Sequence, residues 1–386
     1  MKILSFSFTD KTREWTLNEM LVKKLTLLVG ASGVGKTQIL RALVAMKDIA
    51  EGGSLNGVSW NILFETIDKK RYLWEGEFET KNVSIFIDDE EESDHNPNKP
   101  KVIFERLLLD DSKIIVERNA EQIQFLGNVT IKLSPEKSII NLLKEEDLVK
   151  PAYAGLRKIK FSDQSNSVNA PHGFMVDLLN ANKLSKKFNT LKKIQESDLN
   201  ITLKLFLTSK SDKKTFGIIK ERFVDIFPQV IDLKVAPLET RDKDMPDFFK
   251  DYPFIQIKEL NVNKWIEQSR ISSGMFRSLL HISELFLCSE GTVFLIDEFE
   301  NSLGINCINE ITTDILKSRR QLQFILTSHH PYIINSISYL NWKLVTRTAG
   351  IIKTHDVEKF NIGRSKHDAF MQLIQLDEYQ TGTEQL

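Results

Sequence analysis

The chain has 386 residues, with 52 lysines and arginines against 53 aspartates and glutamates, so its formal net charge is −1. That balance excludes a polyanion-binding signature spread over the whole surface, and the length leaves room for two or three domains. Only two cysteines occur, Cys288 and Cys307. Their unlike settings argue against a disulfide framework or a C-x-x-C metal site and for reduced, buried thiols. No apolar stretch approaches the length of a bilayer span, and the first residues alternate like a strand, unlike a signal peptide. A cytoplasmic location without a membrane partner is expected.

In chain order, residues 2–8 and 25–29 are expected as strands on either side of a connection, Asp10–Lys24. Trp15 lies in that connection and has two readings, a platform for adenine and a core tryptophan. Next comes Gly30-Ala31-Ser32-Gly33-Val34-Gly35-Lys36-Thr37, a full match to G-x-x-x-x-G-K-[ST]. It follows the strand Leu25–Val29 and precedes Gln38–Met46, which has helical spacing. Glycines let backbone N–H groups curl around phosphate, and the helix N-terminus adds its dipole. Lys36 is expected to reach the β- and γ-phosphates and the Thr37 hydroxyl to ligate Mg²⁺, with Gln38 completing the nucleotide-contacting run.

Residues 57–132 are rich in β-type runs: Ser59–Ile67, Arg71–Phe78, Val83–Ile87, Val102–Leu109, Lys113–Arg118 and Val129–Leu133. Hairpins and a meander are expected there, with the acidic turn Asp88–Glu92 through Pro100 as a solvated loop. Ala152–Phe161 holds a further strand candidate, Lys158–Phe161. From Pro171 to Phe227 the pattern turns helical, starting at Phe174, Val176, Leu178 and Leu179. Between Lys183 and Arg222 eleven Lys/Arg stand against four Asp/Glu. Such an excess suits either a phosphate backbone, DNA or RNA, or simply a solvated face. Residues 228–260 return to short β-like pieces, Val230–Val235 and Phe254–Ile257.

The strongest late signal is Gly291–Gly304. Four apolar residues, Val293–Ile296, lead into adjacent carboxylates, Asp297 and Glu298, as in a buried parallel strand whose carboxyl end meets a ligand. Upstream, Ser272-Ser273-Gly274-Met275 precedes an amphipathic helix and offers N–H groups that can grip phosphate. Downstream, the strand Phe324–Thr327 ends in a polar turn carrying His329. About 260 residues separate Lys36 from Asp297.

This arrangement resembles the ABC-type ATPase heads of the SMC, RecF and OLD group, over residues 1–48 and 259–345. E-N-S-L followed by S-H-H-P is most similar to the AAA-type ATPases of bacterial anti-phage defence systems, Septu- or PARIS-like. The resemblance implies an α/β fold, an ABC-type P-loop ATPase head with a mixed sheet and β-subdomain, carrying a helical insertion. It implies a Walker A loop at Gly30–Thr37, a signature at Ser272, Ser273 and Gly274 through Met275, and Walker B at Asp297 and Glu298. Ser302–Leu303 becomes the D-loop and His329 the switch histidine. Asp297 would then hold Mg²⁺ with Thr37, Glu298 would activate water, and ATP would close a head-to-tail homodimer. Gln164 is the candidate Q-loop glutamine. Ser32, the I-S-S-G-M signature and Gly304 depart from the usual residues and mark a divergent branch.

Expected segments are an N-terminal ATPase lobe (1–150), a mainly helical insertion (151–258) and a C-terminal lobe (259–386). After His330 come the strands Trp342–Thr346 and Ile351–Thr354 and the helix His367–Leu376. No acidic triad, zinc ribbon or HNH-like grouping is visible, so no intrinsic nuclease is expected, and output should pass to a separate effector protein. Three functions stand open: an anti-phage ATPase subunit, a RecF-like DNA-repair ATPase, and a scaffold that binds ATP without hydrolysing it.

Overall fold

The computed structural model describes residues 1–81, 99–110, 112–162, 181–237, 252–302, 313, 320–360, 362 and 366–384. Val83–Ile87, the acidic turn at 88–92, Phe174–Leu179, Gln164, Leu303, Gly304 and Cys307 lie outside the described residues. The chain divides into two compact units. The first comprises Met1–Ser162, Gly291–Asp297 and Arg319–Leu386, the second Asp163–Glu290 and Glu298–Ser318.

The first unit contains β1 (Lys2–Asp10), β2 (Trp15–Leu21), β3 (Leu25–Val29), β4 (Val58–Glu65), β5 (Arg71–Phe78), β6 (Val102–Leu109), β7 (Lys113–Arg118), β8 (Ile123–Phe125), β9 (Asn128–Val129) and β10 (Ile159–Ser162). The second contributes β11 (Val230–Ala236), β12 (Phe254–Glu259) and β13 (Ile266–Glu267). The chain then returns to the first unit with β14 (Val293–Ile296), β15 (Gln323–Thr327), β16 (Trp342–Thr348) and β17 (Ile351–Asp356).

Among the described residues the first unit's strands make one 14-stranded sheet, ordered β10-β14-β15-β3-β16-β17-β2-β1-β4-β5-β6-β7-β8-β9. β10, β14, β15, β3 and β16 run parallel. From β2 through β1 to β9 the pairing is antiparallel. Every residue of β3, β14 and β15 is buried, as a parallel sheet covered on both faces requires. Phe294 and Phe324 stack across β14 and β15 with ring centroids 5.1 Å apart. β4 and β5 instead alternate buried and half-buried residues. Helix α1 (Lys36–Ala50) presents Ile39, Leu43, Met46 and Ala50 to the core at spacings of three and four.

The stretch Asp10–Lys24 is more than a connection. It contains β2, which pairs with β1 and, in parallel, with β17. Leu17 and Met20 are buried while Asn18 and Glu19 are exposed, and that adjacent polar pair breaks the period-two signal of a strand. Trp15 is 6% exposed and packs on Phe8 at 5.3 Å. It is a core tryptophan. β9 stops at Val129, and the front of Ala152–Phe161 is helix, Lys150–Leu156.

Two buried polar groups pin the first unit together. Gln323 accepts from Ile3 N (2.8 Å) and donates to Ile3 O (2.8 Å) and Lys23 O (3.0 Å), so one amide ties β1, β15 and the lead into β3. Glu105, wholly buried, accepts from Trp74 Nε1 (2.9 Å), Ser138 Oγ (2.5 Å) and Ile139 N (2.8 Å). Burial pushes its carboxyl pKa up, against the opposing pull of these hydrogen bonds and of Arg118.

The second unit pairs β11 with β12 and β12 with β13, both antiparallel. Its helices include Leu191–Glu196, Ile201–Ser211, Lys213–Ile226 and Ser273–Leu287. Lys204 is buried and donates to Gln195 O (3.1 Å) and Leu287 O (3.4 Å). Its ammonium therefore satisfies a carbonyl at the end of the helix Ser273–Leu287. Lys186, Lys187, Lys192 and Lys193 are exposed. Among the described residues, no helix is long and apolar enough to cross a membrane.

Candidate functional site: a phosphate loop facing an anchored aspartate

The loop between β3 and α1 takes a shape that only glycine allows at three points. Gly30, Gly33 and Gly35 have φ of 144°, 83° and 100°. A side chain at Gly30 would also put its Cβ 2.6 Å from Val345 O on the neighbouring strand. Lys36 opens α1, is 6% exposed, and donates from Nζ to Gly30 O (2.9 Å) and Ala31 O (2.7 Å). Thr37 follows, and Gln38 accepts from Arg347 Nη1 through Oε1 at 3.0 Å.

Thr37 Oγ1 donates to Asp297 Oδ2 at 2.8 Å, across 260 positions of sequence. Asp297 stands at the carboxyl end of β14, two strands from β3. The intervening β15 ends in Thr327, whose hydroxyl donates to Asp297 Oδ1 at 2.5 Å. Both carboxylate oxygens are thereby oriented by hydroxyls at the carboxyl ends of parallel strands or the start of α1, the position where ligands meet open α/β sheets. A carboxylate beside a hydroxyl is a hard oxygen donor pair, the kind that suits Mg²⁺. The residues present fit that ion.

His329 lies in the turn after β15 and is exposed. Its neighbour His330 caps the helix Pro331–Ser336, accepting from Tyr332 N at Nδ1 (3.2 Å). Of the two adjacent histidines, His330 has this structural task. Glu298 begins the second unit, one peptide bond beyond Asp297, and has φ of 45°. A positive φ at a non-glycine residue is uncommon and clusters at functional positions.

Within the second unit, Ser272 is the N-cap of the helix Ser273–Leu287, its hydroxyl accepting from Met275 N at 3.4 Å. Nothing lies within 4 Å of where a Cβ on Gly274 would stand. Ser302 ends the short helix Phe299–Ser302.

Three contributors escaped the sequence reading: Thr327, Arg347 and the C-terminal segment. That segment, through Gly382, lies against the phosphate loop. A Cβ on Gly382 would sit 2.5 Å from Val34 Cγ1 and 3.1 Å from Ala31 Cβ. Gly382 O accepts from Arg347 N at 2.7 Å. Glu384 accepts from Lys353 Nζ at 2.6 Å and pairs with His355. The Lys353 ammonium beside Glu384, seconded by His355, holds its carboxyl below the usual glutamate range. No local motif announces this strap, because its partners come from β16, β17 and residues 31–34.

Gly382→Val tests the strap. The residue has φ of 73°, and a β-branched side chain there would collide with Val34 and strain the backbone by about 1–2 kcal/mol. ATP affinity measured by calorimetry is expected to fall several-fold while circular dichroism stays unchanged. Unaltered affinity would show that the strap does not position the loop.

A glycine-turned phosphate loop, a lysine opening the following helix and a Thr37–Asp297 pair on the parallel part of a mixed sheet define a P-loop ATPase fold of the ABC/SMC kind. Residues 25–335 match the family described as "AAA domain, putative AbiEii toxin, Type IV TA system", and the chain belongs to it. Among solved structures, an Smc head bound to the C-winged-helix domain of ScpA is similar with a TM-score of 0.50 and 13% identity, covering 92% of this chain and 97% of that one. An Smc head with an extended coiled coil, bound to the C-terminal domain of ScpA from Pyrococcus furiosus, gives 0.42 and 12%, covering 93% and 98%. The SMC head domain from Thermotoga maritima gives 0.41 and 11%, covering 92% and 98%. No curated protein matches the sequence.

Proposed function

We propose that the chain hydrolyses ATP as a head-to-tail homodimer and, through that cycle, controls a separate effector protein in an anti-phage defence system. The observation that carries the ATPase reading is the Thr37–Asp297–Thr327 cluster beside the glycine-turned loop. Gly30–Gly35 cradle the phosphates, Lys36 draws charge from the β- and γ-phosphoryl oxygens, and Gln38 continues the contact into α1. Bound Mg²⁺, held by Thr37 and Asp297, would neutralise charge developing on those oxygens. Glu298 accepts the proton of the attacking water, and His329 senses the γ-phosphate.

The defence role draws on the resemblance of E-N-S-L and S-H-H-P and on a family description that mentions a toxin of a Type IV system. The exposed Lys186, Lys187, Lys192 and Lys193 suit an acidic effector surface, where charge aids encounter more than affinity. The same four lysines carry the alternative reading, contact with DNA or RNA.

The composite site is tested by mixing two inactive variants. Lys36→Ala removes the phosphate cation, and Ser272→Arg places a charged side chain at the signature. In a heterodimer one of the two shared sites is intact, so up to half of wild-type turnover per heterodimer is expected. A mixture that stays inactive although heterodimers form, checked by affinity tags on each chain, overturns the shared site.

A further inference from the structure

Asp297, at the end of β14, stands two strands from β3 on one side of the phosphate loop. On the other side β16 runs parallel to β3, with Leu344 beside Val29, and continues to Thr348 after β3 has ended. It passes close against the loop, since a Cβ on Gly30 would meet Val345 O at 2.6 Å. Two positions later comes Arg347, which is half-buried. Its main-chain N–H donates to Gly382 O at 2.7 Å, which ties it to the C-terminal strap. Its guanidinium donates from Nη1 to Gln38 Oε1 at 3.0 Å. That oxygen stands 3.0 Å from where a Cβ on Gly35 would be. An arginine is therefore held beside the last glycine of the loop and the first turn of α1.

Successive side chains leave α1 in different directions. Thr37 reaches toward β14 and bonds Asp297, whereas Gln38 reaches toward β16 and bonds Arg347. Asp297 and Arg347 thus mark opposite sides of the loop, on strands three spacings or roughly 14 Å apart. In the proposed ATPase, Mg²⁺ and the β- and γ-phosphoryl oxygens lie at Thr37 and Asp297. A nucleoside triphosphate is elongated, so its α-phosphate and nucleoside lead away from that end, toward β16. We propose, resting on the ATPase reading, that Arg347 binds the α-phosphate of the nucleotide, held in place by Gln38 and the Gly382 carbonyl. The bond to Gln38 uses one of the five N–H donors of a guanidinium. Arginine meets phosphate through charge-assisted hydrogen bonds, about twice as strong as neutral ones. Its partner here is a group that ATP and ADP share, unlike the γ-phosphate at Lys36.

Calorimetry on the full chain with Mg²⁺ and either ATP or ADP tests the assignment. Arg347→Ala is expected to weaken both nucleotides by the same factor, about tenfold, which equals roughly 1.4 kcal/mol. Arg347→Met, neutral but with a long stem, repeats this arm should the alanine chain fold poorly. A role exerted only through Gln38 is separated by a Gln38→Ala background. An arginine that touches phosphate still contributes there, so the tenfold step on adding Arg347→Ala persists. Disappearance of that step, a loss confined to ATP, or unchanged affinity for both nucleotides in folded Arg347→Ala or Arg347→Met chains overturns the assignment. Failure of the unsubstituted chain to bind ATP would instead overturn the ATPase reading, and this inference with it.

Discussion

Lys36→Ala is expected to lower ATP affinity by about a hundredfold or more while leaving the fold intact. The ammonium is nearly buried and already makes two hydrogen bonds, to Gly30 O and Ala31 O. These bonds hold the charge at the loop, where the proposed function puts the phosphates. A hydrogen bond to a charged group contributes about 1.5–3 kcal/mol. Losing the bonds expected from this ammonium to phosphate oxygens is set to cost roughly 3 kcal/mol, and each 1.4 kcal/mol is a factor of ten. The loop glycines and the hydrophobic face of α1 do not depend on the lysine, so circular dichroism and melting should change little. Equal ATP affinity in both chains by calorimetry would remove the loop from nucleotide binding.

The second large effect is expected at Glu298. Glu298→Gln keeps size and shape but removes the proposed proton acceptor, and a general base contributes about 10²–10⁴ in rate. Single-turnover phosphate release should drop by that factor while ATP affinity stays near wild type. Light scattering with ATP should then show an accumulated dimer, since the state that hydrolysis would open persists. The left-handed backbone at Glu298, φ of 45°, is shared by the glutamine variant, so backbone relaxation cannot account for a loss of rate. Turnover at the wild-type rate would assign the base elsewhere.

Much of the site was legible because its parts are local. Gly30–Thr37 carries the loop's shape in its glycines and its chemistry in two adjacent side chains. β3, β14 and β15 are short enough and apolar enough to announce buried parallel strands, and Asp297 directly follows one of them. β2 was not legible, since Asn18 and Glu19 interrupt the alternation that its buried Leu17 and Met20 would otherwise make. β8 and β9, of three and two residues, are held by their neighbours and not by intrinsic preference.

The sequence by itself determined the class of chemistry: a glycine-rich loop, a lysine, a threonine and an acidic strand end, each readable within a window of a few residues. Only the tertiary structure decided which of these meet. Thr327 bonds Asp297 because β15 lies between β14 and β3, an ordering that depends on strand pairing and not on sequence distance. Trp15 became a core residue because Phe8 on the paired strand offered it a face. Gly382 reached Val34, and Gln323 reached Ile3, across hundreds of residues. Backbone propensity and hydrophobic period act over one or two turns of chain. Contacts of this length are chosen by burial and by the need to satisfy buried polar groups, which become defined only once the sheet has closed around them.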